Sequence, residues 1–223
     1  MMDFAAARIK MVDNQIRTTD VTSHSVLNAF LSVPREDFVP THLRPLAYID
    51  EDMQVAPAAN GQPARFIMEP SPLAKLFQLA AITKDDLVLE IGCGVGYAAA
   101  VLSQIADSVV AVESDESLAA KATSTLAELG YDNVAVVTGE LAKGYAAEAP
   151  YDVIFVNGAV EELPESLFDQ LREGGRLVAV VGYGNAARAR LYVRASGSCS
   201  YSEFFNAAVK PLPGFRKAAE FVF

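Results

Sequence analysis

Three glycines at alternate positions, Gly92, Gly94 and Gly96, follow an apolar run, LVLEI, whose fourth residue is an acid, Glu90. A second apolar run, SVVAVE, also ends in an acid, Glu113. Glycine admits positive φ and lets a ligand approach the backbone without meeting a Cβ. A carboxylate at the end of the neighbouring strand is placed to accept hydrogen bonds from a ribose diol. The pattern therefore points to a nucleoside held by a backbone turn and gripped at its sugar. The competing reading is a tight turn of purely structural use, which a glycine triplet alone does not exclude.

Such a turn needs a strand before it and a helix after it, and from Leu87 onward the chain supplies them in alternation. LVLEI precedes the helical YAAAVLSQIA. SVVAVE precedes DESLAAKATSTLAELG, with Gly130 as C-cap, and NVAVVTG, YDVIFVN, the helix LPESLFDQLREGG and RLVAVVG follow. The strands are near-continuous apolar runs, as in parallel sheets covered by helices on both faces. ARLYVRAS and YSEFFNAAVK, joined by GSCS, read as a terminal antiparallel hairpin. The expected fold is α/β, a doubly wound, mostly parallel seven-stranded sheet of Rossmann-like type. In such sheets ligands bind beyond the carboxyl ends of the strands, where the glycine turn lies.

The division expected is a helical and looped region over 1–81, carrying the acceptor lid, and a core over 82–223. In the first, DVTSHSVLNAFLSV reads as a capped amphipathic helix with Val26, Leu27, Phe30 and Leu31 on one side, ending at Pro34. SPLAKLFQLAAI reads as a second helix with Pro72 in its first turn.

Composition narrows the classes. The 223 residues carry 28 acids against 18 bases, a formal charge of −10, and no Lys/Arg run, which argues against a phosphate-backbone partner. Two distant cysteines, Cys93 and Cys199, make no disulfide framework, and two histidines, His24 and His42, make no metal cluster. The N-terminus lacks a secretory pattern, and no apolar run reaches the ~18 residues of a membrane span. A cytoplasmic protein without nucleic-acid or membrane partner is expected; its oligomeric state is not legible.

The cofactor class follows from the third turn position. A dinucleotide fingerprint wants glycine or alanine where this chain has Tyr97. G-x-G-x-G preceded by Glu90 suits S-adenosylmethionine better, since that molecule has a ribose and adenine but no pyrophosphate.

Here the chain resembles a specific family. MVDNQIR, VLNAFLSVPREDFVP, AYIDE, VLEIGCGVGYAAAVL, APYDVIFVNGA and LFDQLREGGRLVAVVG follow the order and spacing of the protein-L-isoaspartate O-methyltransferases. The resemblance implies S-adenosylmethionine as methyl donor, S-adenosylhomocysteine as product, and a protein or peptide carboxylate as acceptor. It also implies the roles of residues. Glu90, Gly92, Cys93, Gly94 and Gly96 line the methionine end, Cys93 as a small buried thiol. Glu113, with Ser114 beside it, takes the ribose hydroxyls. Gly139, Glu140 and Leu141 stand where the family has Gly-Asp-Gly, Glu140 keeping an acid for the adenine amino group. Asn157 and Gly158, where the family has Thr-Ala, face cofactor or acceptor.

The acceptor half departs from the pattern. The family's loop reads close to G-x-T-I-S-x-P, its serine beside the transferred methyl; this chain reads GQPARFIMEPSP. Aligning Ile67 and Pro70 puts Met68 at the serine position, and a thioether does not usefully hydrogen-bond a carboxylate. Glu69 would repel one if it pointed inward. Ser71 either supplies the missing hydroxyl or, with Pro72, starts a helix. A carboxylate acceptor is already ionised near neutral pH, so methyl transfer needs alignment and dehydration rather than a base. Loss of one orienting hydroxyl should weaken acceptor placement by about 1–3 kcal/mol. Three readings stay open: isoaspartyl carboxyl methylation that starts protein repair, the same cofactor with another acceptor, and a non-catalytic cofactor-binding module.

Overall fold

A computed structural model of the chain describes residues 2–59 and 61–216; residues 217–223, the end of the expected core region, lie outside it. Helix α1 (Phe4–Met11) starts at Asp3, whose carboxylate accepts from the Ala6 N–H at 3.0 Å. Helix α2 (His24–Ser32) is capped by Ser23 and buries Val26, Leu27, Ala29 and Phe30. It ends at Val33 because the following Pro34 disfavours helical backbone in the residue before it. Strands β1 (Met53–Ala56) and β2 (Arg65–Ile67) form a small antiparallel hairpin, and α3 (Pro70–Ala80) follows.

The large sheet contains β3 (Leu87–Ile91), β4 (Ser108–Glu113), β5 (Val134–Thr138), β6 (Tyr151–Val160), β7 (Leu171–Val181), β8 (Arg188–Ala195) and β9 (Ser198–Asn206). Its order is β5-β4-β3-β6-β7-β8-β9, parallel from β5 to β7 and antiparallel at β8 and β9. Helices α4 (Tyr97–Ser103), α5 (Glu116–Glu128) and the short α6 (Glu165–Asp169) complete the core. The expected architecture, a mostly parallel seven-stranded sheet with an antiparallel end, is the observed one. The order of the last two strands, which periodicity left open, places β8 beside β7 and β9 at the edge.

Two expected elements differ. LPESLFDQLREGG is helical only over Glu165–Asp169, and Leu171–Gly175 already belongs to β7. The pair Gly174-Gly175 carries the reason: Gly174 has φ +78°, and a Cβ on Gly175 would sit 2.9 Å from the Arg172 carbonyl oxygen. The hairpin turn is Ser196-Gly197, both at positive φ, rather than GSCS; Ser198 and Cys199 lie within β9.

The N-terminal region packs on the sheet through aromatic contacts. Phe77 of α3 meets Phe155 of β6 edge-on at 4.8 Å, and Phe30 of α2 reaches Phe77 at 6.1 Å. Tyr97, fully buried at the start of α4, lies edge-on between Phe30 and Phe38. One buried hydrophobic cluster thus runs from Met11 through α2 and α3 into β3, β6 and β7. This layer fixes α3 and, through it, the hairpin that overhangs the carboxyl ends of β3 and β4.

Candidate functional site

The register of the sheet brings the two acids to one end. Glu90 pairs with Ala111 and Phe155 across β3, and Glu113 closes β4. The glycine turn leaves β3 with φ of +84°, +57° and +91° at residues 92, 94 and 96. At Gly96 a Cβ would lie 3.1 Å from Leu126 and 3.2 Å from Ala122, so glycine lets α4 approach α5.

Glu113 has no solvent exposure, and its carboxylate is saturated. Oε1 accepts from the Ser114 N–H at 2.8 Å and the Asp115 N–H at 3.1 Å, and Oε2 from the Gly94 N–H at 2.7 Å. Each oxygen also takes one arm of the Arg65 guanidinium, Nη1 at 2.5 Å and Nη2 at 2.8 Å. Arg65 is on β2, its side chain 8% exposed, and its Nη2 also donates to the Gly92 carbonyl at 3.4 Å. This bidentate geometry is the strongest form of the guanidinium–carboxylate contact.

Glu90 is fully buried. One oxygen accepts from Asn157 Nδ2 at 2.8 Å; the other has no hydrogen-bond partner among the described residues. Burial pushes its carboxyl up to about 8, the Glu113 charge adding to this and the Asn157 hydrogen bond opposing it. Cys93 is buried beside them, and burial raises its thiol well above the ordinary value, as for a space-filling rather than a nucleophilic cysteine. Over this floor passes the segment after β9. It pairs with the end of β6 through Ala159 N–H to Lys210 O and Leu212 N–H to Ala159 O, both 2.9 Å. Leu212 rests on the turn so closely that a Cβ on Gly92 would lie 2.7 Å from its Cδ2.

Beyond Glu113 a cavity of about 340 Å³ opens between the hairpin and the sheet, lined by Pro57, Pro63, Ser114, Glu140, Leu141 and Pro213 among others. Gly139 donates its N–H to the Glu113 carbonyl at 2.9 Å, which holds β5's end against β4. The Glu140 side chain is exposed and pairs with Lys143 at 2.7 Å.

The comparisons agree with this geometry. A solved structure described as protein-L-isoaspartate O-methyltransferase superposes with a TM-score of 0.80 at 29% identity, covering 93% of this chain and 66% of that one. Protein-L-isoaspartate O-methyltransferase of Koribacter versatilis (strain Ellin345) is 42% identical over 179 residues, 80% of this chain and 78% of that protein. The protein of the same name in Roseiflexus castenholzii (strain DSM 13941 / HLO8) is 41% identical over 202 residues, 91% of this chain and 89% of the relative. The family model described as protein-L-isoaspartate(D-aspartate) O-methyltransferase (PCMT) matches residues 6–212. The chain belongs to that family.

Isoaspartate O-methyltransferases work with S-adenosylmethionine. The donor chemistry of this chain fits that molecule: a glycine turn, a strand-end carboxylate and an adjoining side cavity of about 340 Å³, roomy enough for a nucleobase. The strand-end carboxylate already has its partners. Every hydrogen-bonding direction of Glu113 is in use; the side-chain donors are the Arg65 guanidinium and, at 3.4 Å, the Ser114 hydroxyl.

Met68, expected to face the acceptor, is buried and lines a narrow space of about 20 Å³ with Asp52, Phe66, Asn157 and Lys210. Its carbonyl accepts from Arg35 Nη2 at 3.0 Å, and the buried Arg35 guanidinium stacks over Tyr97 at 4.7 Å. Ser71 is not at this space. It lies inside α3, which begins at Pro70 with Glu69 at the cap, so it does not cap the helix. Its hydroxyl donates to the Asp50 carboxylate and to the Gln15 carbonyl, and its N–H to Asp50 at 2.9 Å. Asp52 accepts from the Glu69 N–H at 3.1 Å. Burial, with the charges of Asp52 and Asp50, pushes the Glu69 carboxyl up to about 7.

Sequence reasoning missed Arg65 and Leu212. Arg65 left one signal: it is the single base between Arg44 and Lys75, in a stretch holding Asp50, Glu51, Asp52 and Glu69. Leu212 left none, because its position depends on how the chain returns after β9.

Proposed function

We propose that this chain is an S-adenosylmethionine-dependent carboxyl O-methyltransferase that esterifies the α-carboxylate of isoaspartyl residues in damaged proteins. The observation that carries this reading is the family match over residues 6–212, coincident with a glycine turn and a strand-end carboxylate at the carboxyl edge of the sheet. When bound, S-adenosylmethionine supplies an electrophilic methyl group on a positively charged sulfur.

The chain's own residues bind, orient and exclude water. Glu113 accepts the ribose hydroxyls once Arg65 has withdrawn, with Ser114 and Asp115 keeping the carboxylate in place through their backbone. Asn157 and Glu90 form the polar floor at the methionine end; Glu90, held largely protonated near neutral pH by burial, adds little charge there. Met68, Phe66 and Leu212 line the transfer region with apolar surface. An acceptor carboxylate there loses water and gains nucleophilicity without any base. The protein works in the cytoplasm on this reading, supported by sparse cysteine and by the lack, among the described residues, of a helix long and apolar enough to cross a membrane.

The test is methyl transfer to an isoaspartyl peptide compared with its normal aspartyl twin. The expected result is esterification of the isoaspartyl peptide with one S-adenosylhomocysteine formed per ester. A rate no better than the aspartyl control defeats the reading.

A further inference from the structure

We propose that Arg65 is an internal competitor for the nucleoside: it closes the site by occupying Glu113, and a ribose binds only when the β1–β2 hairpin carries the guanidinium away. The inference rests on reading this crevice as a nucleoside site.

The Glu113 carboxylate is saturated. Three of the donors to Glu113 are backbone N–H groups of Gly94, Ser114 and Asp115, fixed by the strand end and the glycine turn. The Ser114 hydroxyl adds a long contact to Oε1 at 3.4 Å, and the two short side-chain donors are the arms of Arg65, which sit where the two hydroxyls of a ribose would donate. A diol and a guanidinium both offer two parallel donors to a carboxylate, so they exclude each other chemically as well as sterically. Glu113 is buried and charged, and it keeps one partner or the other, because an unpaired carboxylate in this setting is strongly unfavourable.

The second observation is that the lid is a single mechanical unit. Arg65 comes from β2, and Leu212, which covers Gly92, comes from the segment after β9. Lys210 joins them: its ammonium lies 3.6 Å from Asp52, just before β1, and 5.4 Å from the ring centre of Phe66 on β2. When the hairpin moves, these ties draw on the segment that carries Leu212. The ribose and methionine positions therefore open together, whereas the side cavity beyond Ser114, although Pro57, Pro63 and Arg65 wall one side of it, is already an open space of about 340 Å³ with the pair closed.

Closure of this kind lowers apparent affinity by the fraction of molecules that are open. Isothermal titration of S-adenosylhomocysteine, adenosine and adenine into the wild-type chain, Arg65→Gln and Arg65→Lys tests it. Arg65→Gln should bind S-adenosylhomocysteine and adenosine about tenfold or more tighter than wild type, while adenine affinity changes less than about twofold. Arg65→Lys keeps the charge but cannot span both oxygens, so it should fall between; it carries the test if the glutamine variant fails to fold. Adenosine binding by the folded variants that equals or falls below wild type overturns the latch and leaves the cofactor assignment standing. A parallel gain for adenine overturns it too, as a sign of general loosening. Absence of S-adenosylhomocysteine binding in wild type and folded variants alike overturns the latch together with the site assignment.

Discussion

The Arg65–Glu113 pair is open to a double-mutant cycle on stability. Glu113→Gln keeps the shape and one acceptor oxygen but leaves a guanidinium that is 8% exposed without its charge partner. Breaking a buried pair from one side should destabilise the fold by about 3–5 kcal/mol. Arg65→Met leaves the carboxylate buried but still held by three backbone N–H groups, so its penalty should be smaller, about 2–3 kcal/mol. The double variant removes both charges at once and fills the arginine's volume with an apolar chain. It should be less destabilised than the sum of the singles by about 2–4 kcal/mol. Urea denaturation of the four proteins, followed by circular dichroism at low ligand concentration, measures this coupling. A double variant within about 0.5 kcal/mol of additivity would refute the claim that the two groups are paired in the folded chain.

Three further outcomes are expected. Glu90 holds its proton to about 8 when folded against 4.5 when exposed, so the folded state binds more protons in between. The Glu90 contribution to stability should be full below about pH 4.5 and be lost, by several kcal/mol, as pH rises to about 8; Glu90→Gln should flatten that part of the slope in denaturant titrations across pH, and an unchanged slope would contradict the assignment. Phe77→Ala, which removes the ring bridging Phe30 and Phe155, should reduce unfolding free energy by about 3–5 kcal/mol in the same assay, and a loss below about 1 kcal/mol would show the two layers to be weakly joined. Gly96→Ala forces φ +91° on a residue with a Cβ and presses it on Leu126 and Ala122; a loss of about 1–3 kcal/mol is expected, and neutrality would mean that the turn can relax.

What the sequence disclosed is what local physics controls. Parallel strands buried on both faces are written as unbroken apolar runs, and β3, β4, β6 and β7 were legible for that reason. Helix α5 was visible through Asp115, whose carboxylate accepts from the Ser117 and Leu118 N–H groups. The LREGG segment misled because its apolar spacing continues a helix while two glycines and pairing with β6 convert it to strand. Ser71-Pro72 misled in the same way: the cap signature was one residue pair too late, and Asp50, 21 residues upstream, claims the hydroxyl. In the site, the glycine turn and the acids were legible as residue types at fixed spacing. Their occupancy was not, since Arg65 lies 48 residues from Glu113 and Leu212 far beyond both, and no local pattern encodes such a meeting.

The most direct test of the account is a crystal structure of the chain grown with S-adenosylhomocysteine. The account predicts the ribose hydroxyls on the Glu113 carboxylate, the backbone of residues 92–96 against the homocysteine part, and Arg65 displaced from Glu113. Arg65 still clasping Glu113, with the nucleoside bound at another surface, would contradict it.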